Sequence, residues 1–181
     1  NSYWAVGLMG MVEIVPLTIF GLYGGVLADH VDRKKMIWAT EACAMLMTIT
    51  LLINSMLPHP SLVWLYIVAA IYAALDGLQR PSSAAILPRL VGHDDMSAAS
   101  ALMSLRWQSG VIIGPSIAGV LLATTGISSA FVVDIATYII SLIFLARVGS
   151  VKPLEKSEAP TLQSLIDGLK YATSRKDLLG T

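Results

Sequence analysis

Six ionisable side chains lie within long apolar stretches of this sequence, where charge is costly. They are Glu13, Glu41, Asp76, Arg80, Arg106 and Asp134. A charge at the centre of a bilayer costs roughly 2.5–3.5 kcal/mol on insertion scales, so each needs a partner, a water-filled cavity or a function. Apart from Glu41, which lies nearer a span end, these residues are our candidates for coupling ions or lining a cavity.

The third apolar stretch carries two of these charges at helical spacing. Asp76 and Arg80 are four residues apart and meet on one face of a helix. A self-neutralised pair that only eases membrane insertion is one explanation. The other is a gate or coupling element, because Pro81 removes a backbone donor and kinks the helix beside a buried cation.

Two carboxylates have no partner nearby in the sequence. Glu13 and Asp134 must each find one on another helix, face water or exchange a proton. Proton exchange is what proton-coupled transport requires of a side chain. Pairing of Glu13 or Asp134 with Arg106 across the helices is an equally good structural explanation, and the sequence leaves both open.

Five apolar stretches carry these residues. They are residues 4–28, 36–57, 62–87, 96–124 and 127–146. Each has the length of about 20 residues that crosses a hydrocarbon core of about 30 Å. Charged residues are 13% of the chain, against roughly 25% in soluble proteins. We predict an all-α, polytopic helical membrane protein whose short connectors make consecutive helices antiparallel.

Basic residues lie on one side of the predicted spans. The connectors at 29–35 and 88–95 and the segment after residue 146 contain Arg33, Lys34, Lys35, Arg89, Arg147, Lys152 and Lys156, whereas the other two connectors contain no Lys or Arg. The positive-inside rule places the basic side in the cytoplasm. Residue 1 then lies outside, and no signal peptide precedes it, so we expect a fragment with at least one earlier span.

Other kinds of site find no support in the sequence. There is no phosphate-binding loop, no zinc motif and a single cysteine, so we predict no cofactor and no metal. The formal net charge is zero, which disfavours nucleic acid as a partner. No nucleophile–base arrangement can be assembled, and we predict that the protein is not an enzyme.

Glycines at four-residue spacing mark two helices for close packing. The fourth span has Gly110, Gly114, Pro115 and Gly119, and the first ends with Gly21 and Gly25. Small residues at this spacing let another helix backbone approach closely. We interpret the set in the fourth span as a helix-packing motif whose proline adds a bend.

The turn after the first span resembles a known signature. Gly25-Val-Leu-Ala-Asp29-His-Val-Asp32-Arg33-Lys34-Lys35 is similar to the pattern Gly-x-Leu-Ala-Asp-Arg-x-Gly-Arg-Arg/Lys between the second and third helices of the major facilitator superfamily. The glycine–proline run resembles the fifth-helix motif of that family's antiporters. Gln79-Arg80-Pro81 stands in the place of its fourth-helix arginine motif. The nearest branch is the bacterial exporters that include the enterobactin exporter and macrolide-efflux-like proteins.

The resemblance implies a fold and a mechanism. Residues 1–149 would be helices two to six of the amino-terminal six-helix bundle in a twelve-helix fold. Residues 150–181 would begin the central cytoplasmic loop, with a short amphipathic helix. Two halves would alternate access to a central site. The charged turn would latch them, through Gly25, Asp29, Arg33 and Lys34 with Arg89 as the partner.

These features together predict a proton-coupled exporter of drugs or siderophore-like molecules in a bacterial inner membrane. Its partners would be a small-molecule substrate, the lipid bilayer, protons and the carboxyl-terminal half of the same protein. A non-transporting membrane scaffold or assembly factor with the same fold is the alternative. An importer is also open, because this segment does not encode direction.

Overall fold

The computed structural model describes residues 3–28 and 30–149, and it contains five long α-helices in that part of the chain. They are α1 (Tyr3–Ala28), α2 (Arg33–Met56), α3 (Leu62–Leu90), α4 (Met96–Thr124) and α5 (Ile127–Arg147), with a 3₁₀ turn at His93–Asp95 before α4. All five are long and apolar enough to cross a membrane. The all-α prediction and its five spans are confirmed. The predicted helix within 150–181 lies outside the described residues.

The start of α2 explains one departure from the family signature. Asp32, which stands where the signature has glycine, has φ −57° and caps the helix. Its carboxylate accepts a hydrogen bond from the backbone N–H of Lys34 at 3.0 Å. An aspartate cap satisfies one of the free N–H groups at a helix start. The turn therefore needs no glycine at this position.

The helices pack in a defined order. α1 packs on α3, α2 packs between α3 and α5, and α4 packs against α5 and the 3₁₀ turn. The buried apolar core is small and comes from α2 and α3, at Met36, Ile37, Ala44 and Val68. Most large apolar side chains face outward instead, which suits lipid contact because a bilayer solvates apolar surface.

The tightest helix contact is a crossing of α1 and α3 at two glycines. A Cβ added to Gly24 would lie 2.8 Å from the Cα of Leu78, and one added to Gly77 would lie 2.8 Å from the carbonyl oxygen of Leu17. Only glycine allows two backbones to approach this closely. The predicted groove of Gly21 and Gly25 is therefore found in part. The backbone N of Gly21 also lies 2.8 Å from a Cβ added to Gly77, whereas Gly24, and not Gly25, makes the second contact. Gly77 was not anticipated.

The glycines of α4 are in a different situation. A Cβ at Gly110, Gly114 or Gly119 would meet no atom within 4 Å in the described part of the chain. This face of α4, interrupted by Pro115, is open there. Its role as a helix-packing motif stays a prediction.

Candidate functional site

One face of α2 carries a polar residue at every seventh position. The residues are Lys34, Glu41, Thr48 and Ser55. Seven residues are close to two helical turns, so the four side chains form one stripe with members about 10 Å apart. From Lys34 to Ser55 the stripe extends about 30 Å, the thickness of the hydrocarbon core.

Every member of the stripe contacts α5, which runs antiparallel to α2. At the end predicted to be cytoplasmic, the ammonium of Lys34 donates to the carbonyl oxygens of Ala146, at 3.0 Å, and of Val148. At the other end the hydroxyls of Ser55 and Ser128 are 3.1 Å apart. We call these contacts and the two between them the α2–α5 seam.

The two inner contacts of the seam involve carboxylates. The hydroxyl of Ser141 donates to Glu41 Oε2 at 2.6 Å. Thr48 Oγ1 donates to Asp134 Oδ2 at 3.1 Å. The amide of Gln79, from α3, reaches the other oxygen of Glu41 at 3.5 Å. Among the described residues, both carboxylates are thus held by neutral donors and not by a cation.

The middle of the seam is joined by two tyrosines into a central cluster, comprising Thr48, Tyr72, Asp134 and Tyr138. Thr48 is 1% exposed, and its hydroxyl is hydrogen-bonded to that of Tyr72, from α3. Tyr72 also donates to the carbonyl oxygen of Ala44 at 3.0 Å. Tyr138 lies one helical turn from Asp134 on α5, close to Tyr72, and its side chain is partly buried.

The central cluster surrounds one carboxylate with hydroxyl groups. Hydroxyl and carboxyl groups both donate and accept hydrogen bonds, so a chain of them can pass a proton without moving a heavy atom far. Among the described residues, no group of three or more His, Cys, Asp or Glu side chains could hold a metal ion. A carboxylate that accepts a hydrogen bond from a hydroxyl, as Asp134 does from Thr48, is a group that can bind a proton.

The predicted pair on α3 forms as its spacing implied. Arg80 Nη2 lies 2.7 Å from Asp76 Oδ2, and Arg80 Nε donates to the same oxygen at 2.9 Å. The Arg80 and Asp76 side chains are 65% and 49% exposed, on a face that no described helix covers. The two charges neutralise each other without contributing to the central cluster.

Arg106 and Glu13 lie away from the seam. Arg106 is exposed on α4 and lines a cavity of about 580 Å³ whose other walls are almost entirely apolar, from Leu87 to Met103. Glu13 is exposed on α1. Within residues 3–28 and 30–149, Arg106 pairs with neither Glu13 nor Asp134, so the structure does not show the cross-helix pairing that the sequence left open.

The structure describes only some of the residues in the predicted latch. Asp29 and the side chain of Arg89 lie outside the described residues. A Cβ at Gly25 would meet nothing within 4 Å, and Arg33 is buried. Lys34 is turned toward α5, where it binds the last carbonyl groups of the helix within the same half of the fold.

The sequence analysis considered charged side chains and therefore did not predict the neutral members of this site. The tyrosine, threonine, serine and glutamine members are Thr48, Tyr72, Gln79, Tyr138 and Ser141. A signal was present in the seven-residue spacing of polar side chains along α2, which is unusual in a span that is otherwise apolar. Whether these side chains meet at the α2–α5 seam depends on how each helix is rotated about its axis, which the spacing alone does not determine.

Comparison with known proteins gives consistent matches along the chain. A sequence model of a family described as transmembrane secretion effector matches residues 1–179. The enterobactin exporter EntS of Shigella boydii serotype 18 is 31% identical over 171 residues, which are 94% of this chain and 41% of that protein. The enterobactin exporter EntS of Escherichia coli O1:K1 is 30% identical over the same coverage. The chain thus spans less than half the length of these relatives.

The matches and the five spans agree with the superfamily signature in the first turn and with a multi-pass location in a bacterial inner membrane. The chain belongs to the transmembrane secretion effector family of the major facilitator superfamily.

Proposed function

We propose that the protein containing this chain exports small molecules, siderophore-like or drug-like, by alternating access and drives export with protons. The family match and the exporters among its relatives support transport over a scaffolding role or an enzymatic one. Substrate and coupling ion are inferred for the whole protein, of which the described part of this chain supplies five long helices.

One observation carries the coupling proposal. Asp134 lies midway along a membrane span, and among the described residues its carboxylate accepts a hydrogen bond from the hydroxyl of Thr48 and forms no ion pair. A charge in this position is costly in a bilayer. A protein that needs only a stable bundle would use an apolar side chain here. A carboxylate that alternately binds and releases a proton gives the position a function.

The test is gradient-driven export by the full-length protein in proteoliposomes, with enterobactin as the probe. Wild-type protein should move enterobactin against its concentration gradient when a proton gradient is imposed, and should stop when an ionophore collapses that gradient. Asp134→Asn keeps the shape and removes the exchangeable charge. We expect it to lower the rate of driven export by about a hundredfold, because the variant loses a hydrogen bond to a charged group in the step that limits export.

Thr137→Val is the matched control. Thr137 is exposed on α5, beside Tyr138, and among the described residues its hydroxyl donates only to the carbonyl oxygen of Asp134, within the helix. Export should stay at the wild-type rate. Wild-type export that is indifferent to the ionophore would overturn proton coupling, and an absence of export of any tested siderophore or drug by folded protein would favour the scaffold.

The cytoplasmic latch is part of the same proposal. A carboxylate at Asp29 would hold the two halves together through a helix N-terminus or an arginine such as Arg89, and the contact would break as the halves separate. Asp29→Asn should slow transport without reducing membrane insertion. Undiminished transport by that variant would exclude the latch.

A further inference from the structure

A cavity of about 240 Å³ lies between the ends of α2, α3 and α5 at the outer end of the seam. The connectors on this side contain no Lys or Arg, so it is the side predicted to face away from the cytoplasm. The apolar side chains in the cavity wall are Leu51, Pro60, Leu62, Leu65, Ile127 and Phe131. The proposed function makes no use of this cavity.

The cavity lies at membrane depth and is continuous with the lipid-facing surface. Leu51 is five residues before the end of α2 and Phe131 four residues after the start of α5, so both lie about 6–8 Å inside the helix ends. Two other wall residues, Leu62 and Ile127, are 57% and 54% exposed, which places them at the mouth. They extend the exposed apolar surface that the spans present to the bilayer.

The polar side chains of the wall are already engaged in hydrogen bonds. Asn54 Oδ1 accepts from the backbone N–H of Ser61 at 2.9 Å, and its amide nitrogen donates to the carbonyl oxygen of the same residue at 3.4 Å. The hydroxyl of Ser61 accepts from the N–H of Trp64, and that of Ser55 is paired with Ser128. A polar ligand would have to break these bonds, so the wall favours an apolar one.

The same bonds hold the cavity open. Asn54 fixes the turn between α2 and α3 through its two contacts to Ser61. The indole N–H of Trp64 donates to Thr50 Oγ1 at 3.2 Å, which holds the start of α3 against α2. The cavity is therefore preformed, as binding sites for apolar ligands usually are.

Size and polarity together narrow the class of occupant. A buried water needs two to four polar partners, whereas an apolar cavity of about 150 Å³ stays dry and can bind benzene. A helix about 10 Å across needs roughly 400 Å³ for a single turn, more than this space provides. A slender apolar chain fits, and the bilayer at the mouth supplies one.

We propose that the cavity between α2, α3 and α5 binds an acyl chain of a phospholipid from the leaflet opposite the cytoplasm. Atoms that line an empty cavity lose their dispersion contacts, and a seated chain restores them for three helices at once. The proposal depends on the membrane location of the helices and not on proton coupling.

The experiment maps lipid contacts by photo-crosslinking. The full-length protein is placed in proteoliposomes with phosphatidylethanolamine that carries a diazirine in the upper part of one acyl chain. After illumination and digestion, mass spectrometry locates the adducts. Leu65 and Phe131 should be labelled in higher yield than Ile53, which is exposed on α2 outside the cavity. The same diazirine on the headgroup should leave both wall residues unlabelled.

A filled cavity should exclude the chain. Leu51→Trp places a larger side chain in the wall and should lose most of the adducts on Leu65 and Phe131. Ile53→Trp is the matched control, because it introduces the same side chain two residues away on the exposed face and should keep the wild-type adducts. Size-exclusion profiles in detergent establish that both variants are folded.

Three results would overturn the proposal. Wild-type labelling of Leu65 and Phe131 no stronger than that of Ile53 would show that no chain is seated, whatever the variants do. Undiminished labelling in folded Leu51→Trp would place the chain outside the cavity. Displacement of the adducts by excess enterobactin would assign the cavity to substrate instead of lipid. Export that ignores a proton gradient would overturn proton coupling and leave this site standing.

Discussion

The α1–α3 crossing and the α2–α5 seam are both helix interfaces within one membrane bundle, but they are built on opposite principles. The crossing brings backbones together at Gly24 and Gly77, where a methyl group has no room. The seam keeps α2 and α5 in register with hydroxyls, carboxylates and one ammonium group. Close packing suits a part that stays rigid. Contacts made by ionisable side chains suit a part of the protein that changes conformation during transport.

The largest effect is expected at the crossing. Gly77→Ala places a Cβ 2.8 Å from the backbone of α1 and forces the helices apart, at a cost of about 1–3 kcal/mol. The Tm of the purified full-length protein in detergent should fall by several degrees, and export should fall with it.

Gly10→Ala is the control for that substitution, because a Cβ at Gly10 would meet nothing within 4 Å. Alanine gains about 1 kcal/mol over glycine in a helix interior, so the Tm should stay the same or rise. A Tm of Gly77→Ala equal to that of Gly10→Ala would show that α1 and α3 do not approach this closely.

A smaller effect is expected at the cytoplasmic end of the seam. Lys34→Met keeps the length of the side chain and removes the ammonium that binds the last carbonyl groups of α5. A cation at a helix C-terminus contributes about 0.3–1 kcal/mol, so a slight fall in Tm is expected. Lys34→Arg should retain the wild-type value.

The same pair of variants separates a contact within this chain from a contact to the proposed carboxyl-terminal half. If Lys34 bound the carboxyl-terminal half instead of α5, Lys34→Met would leave the stability of an isolated amino-terminal half unchanged and would alter only the full-length protein. Because Lys34 contacts Ala146, we expect Lys34→Met to lower the Tm equally in the isolated amino-terminal half and in the full-length protein.

The smallest effect is expected at the outer end of the seam. Ser55→Ala removes a hydroxyl pair with Ser128, and interhelical hydrogen bonds of this kind average about 0.6 kcal/mol in membranes. The Tm should change little, and exchange of enterobactin should continue. A large loss of stability would mean that the seam is a structural clamp of the same kind as the glycine crossing.

Much of the fold follows from the sequence, because span length and apolar composition alone determine five helices. The Asp76–Arg80 pair was predictable for a similar reason: both partners are on one helix, four residues apart. At the crossing the prediction was right for Gly21 of α1 and wrong for Gly25, whose place is taken by Gly24, since which glycine meets α3 depends on helix rotation. Gly77 is the only glycine of α3, but Ala69 and Ala73 precede it at four-residue spacing, so the sequence held a small-residue signal that was not used.

The central cluster was predictable only through Asp134. A carboxylate in an apolar span is conspicuous, whereas Tyr72 and Tyr138 are ordinary residues for a membrane helix. Their hydroxyls matter because α3 and α5 bring them to Thr48, and that convergence is a property of packing. Glu41 was visible as an intramembrane charge, but its position two turns from Thr48 acquires meaning only when α5 lies alongside.

The most direct test is to record proton movement itself. A pH-sensitive dye inside proteoliposomes reports protons displaced when enterobactin is added to the full-length protein without an imposed gradient. The wild type should show a substrate-dependent pH change that an ionophore abolishes, and Asp134→Asn should show none while still exchanging labelled enterobactin. A pH change of wild-type size in Asp134→Asn would contradict the assignment of the coupling proton to this carboxylate.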